Sequence, residues 1–193
     1  ILEGCNFIDN RAERNAALNM SGNIEDFLII NCAFNKNRAT LFGGGSSFSN
    51  GCSGNVVNCL FTENMAVSGN PGAAGISNGA FVHFVNCTFA ENEGGSIGAV
   101  FVHRDGKASL TNCIVWDNLP SGIAVRGIRD GALSELYVNY CDIQFGSDSI
   151  KTDDLAILHW GEGNIRDDPS FMDPLGGDYS LNEGSPCIDF GVD

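Results

Sequence analysis

The sequence predicts an all-β fold, a right-handed parallel β-helix of about six coils with a C-terminal cap. Its strongest indication is a Cys-x-Phe-x-x-Asn motif that returns every 26–28 residues, as "NCAFNKN" (31–37), "NCLFTEN" (58–64) and "NCTFAEN" (86–92). Apolar residues alternate within each motif, which is typical of a strand. Asn-Gly and Asp-Gly pairs, which favour tight turns, separate the strands. A unit this short cannot bury a face alone, so successive units must stack.

Stacking places like residues above one another, about 4.8 Å apart. We therefore expect an internal column of cysteines with a column of phenylalanines beside it. The cysteine column comprises Cys5, Cys32, Cys59, Cys87, Cys113 and Cys141. Disulfides and metal binding are the alternatives, but the chain has no Cys-x-x-Cys pair, and stacked neighbours lie further apart than a disulfide allows. Buried free thiols that act as small hydrophobes are the favoured interpretation.

A third column consists of asparagines five residues after each cysteine. Its members are Asn10, Asn37, Asn64, Asn92 and Asn118, and Gly146 ends the series. Stacked amides can hydrogen-bond along such a column. Because asparagine also tolerates the left-handed backbone that a bend requires, we expect these residues to act as hinges of the coil.

The motif divides the chain into coils over residues 1–146 and an acidic C-terminal capping segment of the same domain over residues 147–193. A solenoid needs a polar cap over its last rung. The side chains that we expect to plug the core are Phe171, Tyr179, Leu181 and Ile188. The carboxylates of the segment are interpreted as a solvated surface or, alternatively, as a calcium site. They include Asp167, Asp168, Asp173 and Asp178. No other cofactor is predicted.

Charge and hydropathy limit the partners. The net charge of −14 over 193 residues repels phosphate backbones, which argues against nucleic acid. No apolar run approaches the roughly 20 residues of a membrane helix, so membrane insertion is not expected. The chain opens in mid-pattern, with "LEGCNFIDN" (2–10) already a complete motif. We therefore expect a piece of a longer precursor, in which further coils or a partner cover the N-terminal edge.

The tetrads "FIDN", "FNKN", "FTEN" and "FAEN", with interleaved Gly-Ala-Val and Gly-Ile-Ala stretches, resemble the polymorphic outer-membrane protein repeats of bacterial surface proteins. The tail "GEGNIRDDPSFMDPLGGDYSLNEGSPCIDFG" (161–191) is similar to one found on many secreted bacterial right-handed parallel β-helix proteins. This resemblance implies an exported protein, secreted or at the cell surface. Some members of such families bind surfaces, and some relatives act on polysaccharides.

Outward positions supply the candidate site. A stripe four residues after each cysteine could bind a cation or serve as a solubilising edge, and it comprises Asp9, Lys36, Glu63, Glu91 and Asp117. Basic, aromatic and histidine side chains on adjacent coils could clamp an acidic or neutral sugar, or they are ordinary surface charge beside turns. These ligand-binding candidates are His83, His103, Arg104, Arg126, Arg129, Tyr137 and Trp116.

No nucleophile elbow, phosphate loop or zinc helix motif occurs in the chain, and no catalytic residue is predicted. The favoured interpretation is a non-catalytic exported surface protein, adhesive or structural, that binds glycans. The alternative is a polysaccharide lyase or glycoside hydrolase of the β-helix type. A polysaccharide or a neighbouring cell surface is the expected partner.

Overall fold

Parallel strands from successive coils pair in four sheets, which we call A, B, C and D in the order in which the chain visits them. The computed structural model describes residues 1–128 and 133–192. Sheet A has the strands Leu2–Glu3, Phe27–Ile30, Ser53–Val57, Phe81–Val85, Lys107–Thr111, Ser134–Asn139 and Ala156–Trp160. Sheet B has the strands Asn6–Ile8, Ala33–Asn35, Leu60–Thr62, Thr88–Ala90, Ile114–Trp116 and Asp142–Ile143.

The other two parallel sheets complete the coils. Sheet C has the strands Arg11–Arg14, Arg38–Phe42 and Met65–Ala66. Sheet D has the strands Leu18–Ser21, Ser46–Ser49, Ala74–Ser77, Val100–His103, Ile123–Arg126 and Lys151–Thr152. The strands Phe171–Asp173 and Asp178–Leu181 form an antiparallel pair, and two short 3-10 helices span Gly146–Ser149 and Pro174–Gly176. The predicted all-β parallel solenoid is confirmed.

The core is a stack of like side chains. The rings of Phe7, Phe34, Phe61 and Phe89 lie above one another, with centroids 4.5–4.8 Å apart. All eight cysteines are free thiols, and those of the motif are buried from Cys32 onwards. The backbone N–H of Cys32 donates to Sγ of Cys59 at 3.4 Å, so neighbouring thiols are stacked in register.

The asparagine column is also present, and each interior amide is fully hydrogen-bonded. Nδ2 of Asn64 donates to Oδ1 of Asn92 at 2.9 Å and to the carbonyl of Phe34 at 2.8 Å. Its Oδ1 accepts from both the backbone N–H and Nδ2 of Asn37. Each amide thus connects three coils.

The predicted hinge role of these asparagines is wrong. Left-handed backbone occurs instead at other positions of the repeat, two of which flank the strand of sheet B, because the column amides must point inward to stack. One position is directly before the cysteine, at Asn31, Asn58, Asn86 and Asn112. The other is directly before the column asparagine, at Asp9, Lys36, Glu63, Glu91 and Asp117.

Parallel pairing continues past residue 146, the boundary that the motif indicates. Ala156–Trp160 pairs with residues 134–138 in sheet A, and Lys151–Thr152 pairs with residues 124–125 in sheet D. Ile165 forms a further parallel bridge with Asp142. The alternating apolar residues of "AILHW" suffice to add a rung without the cysteine motif.

The tail after residue 165 packs along the outer side of sheet B. The Tyr179 hydroxyl donates to Oε2 of Glu91 at 3.1 Å, and Nδ2 of Asn112 donates to the carbonyl of Val192 at 2.8 Å. Tyr179 is buried, but it lies outside sheet B, and Ile188 is 42% exposed. The prediction that four side chains of the tail plug the core is wrong, because none of them packs against it: Phe171, Tyr179, Leu181 and Ile188. Sγ of Cys187 also donates to Oδ2 of Asp142 at 3.1 Å, so the tail makes hydrogen bonds to three successive coils on this side of the solenoid.

The first coil is less well covered than those that follow. Leu2, Cys5 and Phe7 are half-buried and pack against the core, whereas Ile29, Cys32 and Phe34 of the next coil are fully enclosed. Within residues 1–128 and 133–192, no helix is long and apolar enough to cross a membrane.

Candidate functional site

The structure distributes the predicted ligand-binding residues over three sheets. His83 and Tyr137 point outward from sheet A, while His103 and Arg126 are register partners on sheet D. Trp116 ends a strand of sheet B and is half-buried. Arg104 follows sheet D in the turn that leads back to sheet A, and Arg129 lies outside the described residues. The residues therefore do not form one site.

The outer face of sheet A carries two parallel columns. Register pairing aligns Asn55, His83, Ser109, Tyr137 and His159 in the first column. The second column, two positions earlier on each strand, comprises Ser53, Phe81, Lys107, Glu135 and Ile157. Side chains two residues apart on a strand point to the same face, so both columns line one continuous surface.

Glu135 is the centre of this surface. Nζ of Lys107 lies 2.6 Å from Oε1 of Glu135, in an ion pair between neighbouring coils. The Tyr137 hydroxyl donates to Oε2 at 2.7 Å, and Nε2 of His159 lies 3.1 Å from the same oxygen. One carboxylate thus orients three side chains from three strands, at positions where sheet geometry brings diagonal neighbours together.

The network also sets the protonation states of its members. Hydrogen bonds from Lys107, Tyr137 and His159 lower the pKa of Glu135 to about 2. The same carboxylate raises the pKa of Tyr137 through the hydrogen bond that it accepts. Near neutral pH, Glu135 is therefore ionised and Tyr137 is protonated, so neither is poised to exchange a proton.

Aromatic rings provide flat contact area beside the polar network. Tyr137 and His159 stack with centroids 4.1 Å apart and planes inclined by 5°, and the Phe81 and His83 rings lie 4.2 Å apart. Nδ1 of His83 is 2.8 Å from the Ser109 hydroxyl, which fixes the ring between the two groups. Burial lowers the pKa of His83, so its imidazole is neutral at physiological pH. Rings held in this way offer apolar faces with polar edges.

Three of these residues were missed by sequence reasoning. Lys107 and Glu135 each lie six residues before a motif cysteine, at the outward position two residues before the one that carries Ser109 and Tyr137. His159 lies in a strand without the motif, so its place above Tyr137 could not be read from the repeat. The alternating apolar residues of "AILHW" (156–160) were the only sequence signal for this strand and for the position of His159.

A second, smaller group of side chains lies on the outer face of sheet D. The rings of Phe101 and His103 stack at 4.4 Å, and the Arg126 guanidinium lies 5.8 Å from the Phe101 centroid. Burial, reinforced by Arg104, lowers the pKa of His103 to about 4. His103 is therefore uncharged at neutral pH, and Arg104 and Arg126 supply the positive charge here.

The acidic positions considered for a cation have structural roles. The stripe four residues after each cysteine coincides with the left-handed bend, where Lys36 and Glu63 form an ion pair at 3.4 Å. In the tail, Asp168 and Asp173 each accept a hydrogen bond from a backbone N–H two or three residues later, which is typical of turn residues. Residues 1–128 and 133–192 bring together no group of three His, Cys, Asp or Glu side chains able to hold a metal ion.

Comparison with protein-family models, curated proteins and solved structures finds no match for this chain.

Proposed function

We propose that this protein is a non-catalytic, exported surface protein that binds polysaccharide on the outer face of sheet A. The observation that carries the proposal is the stacked pair of Tyr137 and His159, held by Glu135 beside Lys107. Aromatic faces next to hydrogen-bonding groups match the apolar faces and hydroxyl edges of sugar rings. Export is supported by the resemblance of the repeats and the tail to secreted β-helix proteins.

The extended form of the surface favours binding of a polysaccharide over binding of a small molecule. The two columns run across successive coils, about 4.8 Å apart, so a polysaccharide that lies along the solenoid would meet outward side chains of each coil in turn. Tyr137 and His159 on one part of the face and Phe81 and His83 on another provide two aromatic contact points. Multiple weak contacts of this kind add up to useful avidity.

Binding without turnover is favoured over the alternative of a lyase or hydrolase. Glycoside hydrolysis uses a pair of carboxyl groups, one of which has a raised pKa. Between residues 27 and 160, Glu135 is the only carboxylate on the described strands of sheet A, and its pKa is lowered. A base for proton abstraction would also need a pKa nearer neutrality than that of the protonated Tyr137.

The proposal is tested by affinity electrophoresis in gels that contain neutral and uronate polysaccharides. Tyr137→Ala should abolish the retardation of the protein, because it removes both the ring and one hydrogen bond to Glu135. Phe42→Ala is the matched control, because Phe42 is an exposed aromatic on sheet C, 48% accessible and remote in sequence. Equal retardation of the wild type and Tyr137→Ala would refute the proposed face.

A further inference from the structure

A cavity opens on another side of the solenoid, between sheets B and D of the last coils. It has a volume of about 880 Å³ and lies over three core side chains, Val115, Ile123 and Ile143. Each of these three is at most 2% exposed. The core beneath the cavity is therefore closed, and the cavity is a surface groove between the outer edges of the coils.

Two changes in the repeat occur at the cavity. Sheet C has strands only in the first three coils and continues as single bridges at Glu93 and Leu119, so residues 117–122 connect sheet B to sheet D by a shorter path. The phenylalanine column also stops there, because the register partner of Phe89 is Val115. The groove lies beside the shorter connection, and Val115 remains buried in the core beneath it.

The rim of the cavity is apolar and acidic. Three large hydrophobic side chains on the rim are exposed: Leu119 at 63%, Phe145 at 72% and Leu175 at 97%. Four carboxylates line the same cavity, at Glu91, Glu93, Asp117 and Asp148. None of them takes part in a salt bridge among the described residues, and the single lysine of the lining, Lys151, donates to the carbonyl of Ser96.

We propose that this cavity binds a small organic cation with an aromatic or branched apolar body. Its volume is that of a pocket for one small molecule. The exposed side chains of Leu119, Phe145 and Leu175 would take the body of the ligand, and the excess of carboxylates would take its ammonium group. Phe145 adds an aromatic ring over which a cation is attracted. The site is separate from the proposed polysaccharide face on sheet A.

The test compares 2-phenylethylammonium with 2-phenylethanol, which have the same body and differ in charge, by titration calorimetry on the full chain. The cation should bind roughly tenfold more tightly than the alcohol at low salt, and added salt should reduce that difference. Glu93→Gln with Asp117→Asn should remove most of the preference. Glu13→Gln with Glu25→Gln makes the same change in net charge in the first coils, remote from the cavity, and should leave the preference unchanged.

Variants of the rim test the location. Phe145→Asn with Leu175→Ser removes two exposed apolar side chains and should weaken binding of both compounds at least several-fold. Equal affinity for cation and alcohol, no binding of either compound, or binding untouched by these variants would overturn the proposal. An equal loss of preference in Glu13→Gln with Glu25→Gln would overturn it as well.

Discussion

Replacing Asn64 by alanine should reveal the direction in which the asparagine column is hydrogen-bonded. Oδ1 of Asn64 accepts from the backbone N–H of Asn37 at 3.1 Å and from its Nδ2 at 2.9 Å. Both donors lose their partner in Asn64→Ala, and both are buried, since Asn37 is 0% exposed. An orphaned buried donor costs about 1–3 kcal/mol, so we expect a loss of about 4 kcal/mol in the free energy of unfolding.

Asn10, at the N-terminal end of the column, provides the control. Asn10 donates to Oδ1 of Asn37 but accepts no hydrogen bond from another column amide, and it is exposed. Asn10→Ala therefore leaves no buried donor without a partner and should cost below about 1 kcal/mol. Asn118 accepts from Asn92 in the same way that Asn64 accepts from Asn37, so Asn118→Ala at the other end should resemble Asn64→Ala.

Urea unfolding monitored by circular dichroism measures all three variants. The predicted order is a large loss for Asn64→Ala and Asn118→Ala and a small one for Asn10→Ala. Asn35→Ala, which removes a single outward hydrogen bond to Thr62, controls for the loss of any asparagine in these coils. Four equal losses would refute the reasoning, because they would mean that the polarity of the column has no energetic consequence.

Three further predictions concern the thiols, Asp142 and the tail. Unfolding without reductant should expose eight titratable thiols, and Cys59→Ser should cost about 1–3 kcal/mol for burying a hydroxyl in the column; a deficit of thiols would contradict this. Burial raises the pKa of Asp142 to about 6, above its unfolded value, so the folded state binds the extra proton and stability falls as pH rises from about 4 to 6. Asp142→Asn should therefore raise the free energy of unfolding by about 2 kcal/mol at pH 7 and little at pH 4, and equal effects at both pH values would contradict the assignment. Removing residues 166–193 should uncover the outer side of sheet B and cause aggregation seen by light scattering, whereas a monomeric and equally heat-stable truncation would exclude a covering role.

Much of the fold could be predicted because each coil carries the same residue types at the same offsets from its cysteine. A cysteine, a phenylalanine and an asparagine at fixed offsets must stack once the coils stack, and Phe34 over Phe61 is the direct result. The hinge was misassigned by one residue, since both Asn and its neighbour are compatible with a bend and only the inward amide of Asn37 decides between them. Composition cannot make that distinction.

The site on sheet A was predicted in part, because some of its residues lie at fixed offsets from the motif cysteines. His83 and Tyr137 share an outward column because each lies four residues before a cysteine. The contact of Tyr137 with His159 depends on a strand that has no motif, and the cavity near Val115 depends on the shortening of a connection. Both arise where the repeat changes, so a rule derived from its regular part does not extend to them.

The most direct test of the proposed function is to incubate the intact chain with neutral and uronate polysaccharides and to record bound protein and new chain ends together. We predict retention on at least one polysaccharide, lost in Tyr137→Ala and kept in Phe42→Ala, with no new reducing or unsaturated ends. Turnover by the wild type that Glu135→Gln or Tyr137→Phe abolishes would contradict the account, because it would make the network around Glu135 a catalytic one.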